Sequence, residues 1–410
     1  MNSAAPGPPT GPPDVLVVGA GIIGLAVAWR ATRAGLTVSV LDASPGDGAT
    51  WAAAGMLAAV TEAEYGEDRL ARMNVDSARR WPRFAQELED ASGTDVGLRA
   101  TGTMTLAYDA DDLAESRRLA RTQQRWGMAI TELTAAQARR RSPLVGSVAG
   151  ASWAADDHQV DPRAAHRALR RAVVGTPGCG ILPRRVARLL VGTGTTDDGV
   201  RVTGVVDDRG EEHQAGTVVL AAGERSSSLL AGLPVDAPTR PVKGLTLRLD
   251  APAWFDLDHV VRGRVQSRAV YVVPRAPGTD PGTGAPRREV VIGASSEEKP
   301  DDRRAEAGAV FALLRDARAL LPAVDELALV EITPRARPAT PDNLPFVGAS
   351  GVPGLVLATG HHRNGVLLAP ITGDAVVATL TGGALPGSVA AVDPRRLTDR
   401  TPRPTPRRTR

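Results

Sequence analysis

With a single cysteine in 410 residues, the chain has no internal disulfide and no cysteine-based metal cluster. Cys179 lies in the turn-like run Thr176-Pro177-Gly178-Cys179-Gly180 and reads as an incidental loop thiol. Histidine is sparse too. There are six, and the one adjacent pair, His361-His362, makes a poor joint ligand, so no metal is expected. No apolar run approaches the roughly 20 residues that cross a bilayer. Residues 1–13 are Pro, Gly and Ala without the charged start and apolar stretch of a secretory signal, and read as a disordered leader. A soluble, cytoplasmic protein with no membrane partner is expected. Lysine is nearly absent: only Lys243 and Lys299 stand among 49 basic residues, so no single arginine is informative without a motif around it. The net charge of +3 is local. Residues 391–410 hold seven arginines and two aspartates, which leaves the remainder at −2. A near-neutral body with a basic Pro/Thr tail excludes a nucleic-acid partner, and residues 383–410 are expected to be largely disordered.

Against these absences, Asp14-Val15-Leu16-Val17-Val18-Gly19-Ala20-Gly21-Ile22-Ile23-Gly24-Leu25-Ala26 places a buried strand, a glycine turn and a helix start in one run. Gly19 lets the chain turn off the strand, Gly21 lets the backbone approach a pyrophosphate, and Gly24 lets the helix pack on the sheet. Phosphates then sit at the helix N-terminus, where unpaired N–H groups and the helix dipole favour negative charge. A second strand, residues 37–41, ends at Asp42, eighteen residues after Gly24, placed to accept hydrogen bonds from ribose hydroxyls. The pattern predicts dinucleotide binding and does not separate NAD from FAD.

The small, uncharged run 48–57 allows a flat ligand or a neighbouring backbone to come close, or forms an Ala-rich helix. Residues 70–92 have the spacing of an amphipathic helix with Trp81, Phe84 and Leu88 on one side. Residues 102–107 alternate like a strand, and 111–126 read as a charged surface helix. Asp161-Pro162 begins a helix, with Asp161 as N-cap, that runs to about Val174. Residues 200–206 and the buried run 217–223 return to sheet. Residues 242–249, 269–274 and 289–294 read as strands of a mostly antiparallel sheet, interrupted by a loop at 276–286. A helix over 303–321, a third buried strand over 354–360 and a helix over 365–380 complete the pattern, and no repeat period is visible. Two interleaved domains follow. A dinucleotide-binding part spans 14–90, 155–238 and 334–382; a sheet-rich substrate part spans 91–154 and 239–333.

Four further motifs give the chain a recognisable likeness: Ala52-Ala53-Ala54-Gly55-Met56-Leu57, Tyr271-Val272-Val273-Pro274-Arg275, Arg335-Ala336-Arg337-Pro338-Ala339-Thr340-Pro341-Asp342, and Gly360-His361-His362-Arg363-Asn364-Gly365-Val366-Leu367-Leu368-Ala369-Pro370. From about Asp14 to Leu380 the sequence resembles the FAD-dependent amine oxidases of the D-amino acid oxidase superfamily, and most closely the glycine oxidases of thiamine biosynthesis. That resemblance implies an α/β fold: an FAD-binding Rossmann-like domain interleaved with a smaller α+β substrate domain with a mostly antiparallel sheet. It implies that Gly19, Gly21, Ile22, Ile23, Gly24, Asp42, Thr50, Trp51, Ala53, Ala54, Gly55 and Met56 hold the adenosine, pyrophosphate and flavin edges. Val186 would lie against the adenine. Ala222 and Gly223 end the strand that returns beside the first βαβ unit. His361, His362, Arg363, Asn364, Gly365, Val366 and Leu367 would lie under the isoalloxazine ring, where a helix starting near Gly365 aims donors at the flavin edge that gains negative charge on reduction.

By the same resemblance Arg337 forks onto a substrate carboxylate, Tyr271 adds its hydroxyl, and Arg363 lies near the flavin and the site mouth. A guanidinium suits the first role because two parallel N–H bonds fix orientation as well as position. No protein base is needed if a neutral amine places its α carbon about 3 to 3.5 Å from flavin N5 for hydride transfer. The implied reaction is oxidative deamination of glycine, sarcosine or small D-amino acids. O2 is the expected acceptor, giving H2O2, and the imine links to thiazole synthesis. A D-amino acid dehydrogenase passing electrons to a quinone and a sarcosine oxidase-like enzyme are the alternatives. FAD is expected to be noncovalent, since Cys179 is far from the motif that carries covalent attachment in sarcosine oxidases, and a homo-oligomer is expected. Two departures leave amine size preference open: Ala269 stands where relatives often carry His, and Glu224-Arg225 where an Ala-Trp pair is common.

Overall fold

The computed structural model describes residues 11–193, 199–279, 284 and 286–397. Its first sheet has the strand order Phe346–Ala349, Leu355–Thr359, Thr217–Leu220, Val15–Val18, Val38–Leu41, Gly180–Leu182. All neighbours run parallel except the outer pair Phe346–Ala349 and Leu355–Thr359. Alternation along Val15–Val18 explains why every residue of that strand is apolar. Val15 and Val17 enter the core shared with helices Ile22–Arg33, Asp68–Ser92, Pro162–Val174 and Ala369–Thr381, whereas Leu16 and Val18 face a second core. That second core is covered by a three-stranded antiparallel sheet of Val186–Thr193, Val200–Asp207 and Glu212–Gln214. Covered on both faces, such strands carry continuous hydrophobic runs. Trp81, Phe84 and Leu88 are buried as their spacing predicts, and Phe84 meets Trp29 and Trp81 edge-on at 5.0 and 5.3 Å.

The second large sheet has nine strands, ordered Ala328–Ala339, Arg240–Pro252, Pro286–Gly293, Arg268–Pro274, Val260–Val265, Thr103–Ala107, Gly150–Ala154 and Thr131–Thr134, with Gly278–Thr279 paired beside Pro286–Gly293. It is antiparallel except where Val260–Val265 meets Thr103–Ala107. Helix Ala307–Leu320 packs on one face. The fold is therefore mixed α/β, with one mostly parallel and one mostly antiparallel sheet.

Several boundaries differ from the sequence reading. The helix expected over 303–321 is Ala307–Leu320, because Asp302 and Glu306 bind the buried Lys243 ammonium at 2.6 and 3.0 Å and fix the preceding segment as a strap. The helix expected from Gly365 starts at Ala369, with Pro370 in its first turn, and a short 3-10 turn at His362–Asn364 precedes it. The boundary at 334 falls inside Ala328–Ala339. The run 48–57 is split between a turn of helix at Ala49–Ala52 and Met56–Leu57, which pairs with His158–Gln159. Residues 280–283 and 285 of the expected 276–286 loop, and the leader up to residue 10, lie outside the described residues, while Gly278–Thr279 forms a short strand. Pro13 is already part of the body: it is buried and its carbonyl accepts the Gly216 N–H at 3.0 Å. Disorder from 383 is also corrected. Val389 and Val392 are buried in the main core, and Arg396 stacks on Phe346 while donating to Asp342 and to the Leu344 and Pro345 carbonyls. Residues 398–410 lie outside the described residues.

Candidate active site

A cavity of about 750 Å³ runs between the two large sheets, from Val186, Arg184 and Asp42 at one end to Tyr271, Arg337 and Arg363 at the other. That volume is within the range of small-molecule sites. At the first end, helix Ile22–Arg33 opens at Gly21 without a side-chain cap, so its first-turn N–H groups face the cavity. Thr50 modifies this picture, since its Oγ1 accepts the Ile22 N–H at 3.0 Å and takes one of the expected donors. Gly19 has φ +103°, which only glycine adopts without strain. A Cβ on Gly24 would strike the Gly19 carbonyl, so this glycine closes helix onto strand and does not itself reach the cavity wall. Asp42 accepts the Ala20 N–H at 2.7 Å and the Ser44 N–H at 2.8 Å, and still faces the cavity. A glycine turn, an uncapped helix start and a carboxylate at the far end fit the diphosphate and ribose of a dinucleotide.

The other end is built by the mostly antiparallel sheet. Two glycines on the strands between Arg337 and Tyr271 make room there. A Cβ on Gly244 would collide with the Arg337 guanidinium, and one on Gly293 with the Tyr271 ring and hydroxyl. Both side chains therefore lie across the sheet toward the cavity. Arg337 donates to the Ser295 carbonyl at 3.2 Å and makes no ion pair among the described residues. Burial raises the Tyr271 pKa, opposed by the Arg337 charge, so the phenol stays protonated and can donate. Arg363 is mostly buried at the cavity wall and paired with Glu67; burial opposes its charge, but the Glu62 and Glu67 carboxylates hold its pKa above the ordinary value. His361 and His362 are both pushed down to about 3, His361 by burial alone and His362 by burial and then by Arg337 and Arg363. Both rings are neutral at physiological pH. His361 also hydrogen-bonds Thr372 Oγ1 at 3.0 Å.

Tyr271, Arg337 and Arg363 thus line one cavity with Gly19, Gly21, Ile22, Ile23, Asp42, Thr50, Ala53, Ala54, Gly55, Met56, Val186, Ala222, Gly223, His361, His362, Gly365 and Val366. Besides Gly24, three expected residues lie off its wall. Trp51 points outward, 41% exposed, where its indole donates to Glu331 and stacks under Arg163. Leu367 is packed in the core, its carbonyl accepting from Ser77 and Trp81, and Asn364 is buried beside it. Sequence reasoning missed Glu62, Glu64 and Arg262 at the substrate end, and the clasp of Asp47 with Arg303 and Arg335 at the rim. Their partners lie some 200 residues or more apart, and nothing local marks one arginine among so many. Away from the cavity, Asp207, Glu211 and His213 approach one another at a hairpin, but Asp207 is already engaged by the Arg209 and Glu211 N–H groups and by His213.

Residues 14–379 match the family model described as FAD dependent oxidoreductase. The chain is 30% identical over 365 residues to a glycine oxidase of Geobacillus kaustophilus, covering 88% of this chain and 90% of that one. It is 31% identical over 367 residues to a bifunctional protein ThiO/ThiG of Synechocystis, and spans 50% of that protein's length. The crystal structure of the Geobacillus kaustophilus glycine oxidase superposes with a TM-score of 0.81 at 29% identity, covering 93% of this chain and 98% of that one. An L-proline dehydrogenase from P. horikoshii shares the fold, with a TM-score of 0.77 at 21% identity. No helix among the described residues is long and apolar enough to cross a membrane.

Proposed function

Because this chain belongs to the FAD-dependent oxidoreductases, we propose that it oxidatively deaminates glycine and other small amines or amino acids, such as sarcosine and small D-amino acids. One observation carries the reading: an arginine without a carboxylate partner among the described residues and a protonated tyrosine converge on the cavity wall, cleared by Gly244 and Gly293. Arg337 binds the substrate carboxylate with paired N–H groups and Tyr271 donates a third hydrogen bond to it. FAD, when bound along Gly19–Ile23, Asp42 and Ala53–Met56, supplies the two-electron acceptor, with O2 as final acceptor and H2O2 as product. The neutral rings of His361 and His362 add no charge near the reacting amine, while Arg337 and Arg363 disfavour its ammonium form. Binding and orientation therefore do most of the work of the protein. The likeness to glycine oxidases and to half of a ThiO/ThiG protein supports release of the imine toward thiazole synthesis.

The test is anaerobic mixing of the holoprotein with glycine, sarcosine, D-alanine and D-proline. Bleaching of the flavin followed by stoichiometric H2O2 on admitting air is expected. If none of the four bleaches it, amine oxidation is wrong; bleaching without peroxide would move the acceptor to a quinone.

A further inference from the structure

Three arginines face the substrate end of the cavity, and they differ in how free they are. Arg337 has only the Ser295 carbonyl among the described residues. Arg262 lies directly across the strand pair from Tyr271, within reach of the same ligand, but is engaged by the Glu62 carboxylate at 3.3 Å. Arg363 is paired with Glu67, donates to the Glu62 carbonyl at 3.4 Å, and feels the Glu62 charge as well. A single carboxylate thus stands between two guanidiniums.

Glu62 does not hold that position alone. The segment that carries it is fastened from behind by Asp157, which is fully buried. Asp157 Oδ1 accepts the Val60 N–H at 2.8 Å, and Oδ2 accepts the Thr61 N–H and hydroxyl, both at 2.7 Å. Thr61 Oγ1 in turn accepts from Arg262 at 3.3 Å. Gln123 adds bonds to the Val60 and Ala63 carbonyls, both at 3.0 Å. A chain of contacts therefore leads from a buried carboxylate through one hydroxyl to Arg262, and from Arg262 to Glu62.

We propose that Glu62 is a specificity-determining residue: by occupying Arg262 and screening Arg363 it leaves one guanidinium for substrate and confines the site to amines bearing a single carboxylate, with Asp157 acting through Thr61 as a positioning residue. The inference rests on the reading of this cavity as an amino-acid site. Its physics is negative selection. A second substrate carboxylate brought beside Tyr271 meets the Glu62 charge in a poorly hydrated space and finds Arg262 already paired, so it is desolvated without compensation. Removing the Glu62 charge turns the same place into a second anion subsite.

Glu62→Gln keeps the shape and removes the charge. In this holoenzyme the ratio of kcat/KM for iminodiacetate to that for glycine is expected to rise by about tenfold or more. Malonate should perturb the flavin spectrum at lower concentration than in the parent protein, with acetate little changed. A ratio and a malonate affinity that both stay put overturn the role of Glu62. Asp157→Asn and Thr61→Val should shift the ratio in the same direction by less, at unchanged FAD content. Lower thermal stability with an unmoved ratio would reduce Asp157 to a purely structural residue and overturn its positioning role. If no amine bleaches the parent flavin, the functional reading fails, but the malonate and acetate titrations still decide whether Glu62 guards a second anion subsite.

Discussion

A guanidinium whose only hydrogen-bond partner among the described residues is one carbonyl keeps most of its hydrogen-bonding fork for a ligand, and that is the condition of Arg337. Arg337→Ala should retain FAD, since the residue lies at the far end of the cavity from the glycine turn. It should lose the charge-assisted pair to the substrate carboxylate, about 3 kcal/mol, or roughly 100-fold in apparent glycine affinity. Tyr271→Phe removes one neutral donor and should cost about 1 kcal/mol, a several-fold effect. Titration of the flavin absorbance with acetate separates these from effects on chemistry. Acetate affinity untouched in Arg337→Ala would take the residue out of the site. Because burial raises the Tyr271 pKa, its contribution should persist through alkaline assay pH and not fade near the ordinary phenol value.

Strands and turns decide whether those side chains arrive, and here local and distant information part company. The glycine turn was legible because strand, turn, helix and Asp42 follow one another within thirty residues, each with its own geometric requirement. Trp51 was misplaced because a short helical turn at Ala49–Ala52 rotates it outward although its neighbours Thr50 and Ala52 line the cavity. The tail was misread because its anchors, Val389 and Val392 in the core and Arg396 on Phe346 and Asp342, are scattered among Gly, Ala and Pro ahead of a run of Pro, Thr and Arg. The Glu62–Arg262 pair joins residues 200 apart across two elements, which no spacing rule reports. Gly244 shows the same limit, since its value lies wholly in the Arg337 group that crosses it. Gly244→Ala should therefore mimic much of the Arg337→Ala loss, with FAD retained, when acetate and glycine affinities are measured. Gly24→Ala acts on the other end of the cavity. Its Cβ strikes the Gly19 carbonyl, a backbone atom that cannot swing aside. Weaker FAD binding, by about tenfold or more, is expected from equilibrium titration of the apoprotein; unaltered FAD affinity would mean that the helix shifts without disturbing the turn.

At the scale of the whole molecule, burying basic and acidic groups around a central cavity makes stability depend on pH in a direction that can be worked out. Burial lowers the pKa of five of the six histidines, His158, His166, His259, His361 and His362, the last two to about 3. Above their ordinary value of 6.5 they are neutral folded or unfolded, and their contribution is complete. As pH falls below 6.5 the unfolded chain binds protons that the folded one refuses, and stability is lost until the folded value is reached. For His361 and His362, held near 3, that slope approaches about 1.4 kcal/mol per pH unit each, and His158, His166 and His259 add to it in the same direction. Asp157 works the other way. Burial raises it to about 6, so between pH 6 and its ordinary 3.8 the folded chain takes up a proton that the unfolded chain does not, and stability rises on acidification. Glu224, which burial also raises, acts in the same sense, and five histidines against two carboxylates leave the histidines dominant. The urea midpoint of the FAD-saturated protein should therefore fall steadily between pH 7 and 5. Replacing His361, which has a single hydrogen bond to Thr372, by Asn should make that fall shallower by about one proton, and Asp157→Asn should make it steeper below pH 6. An unchanged slope in His361→Asn would show that the buried ring is not what opposes protonation, and would point to the remaining four histidines as the source of the acid sensitivity.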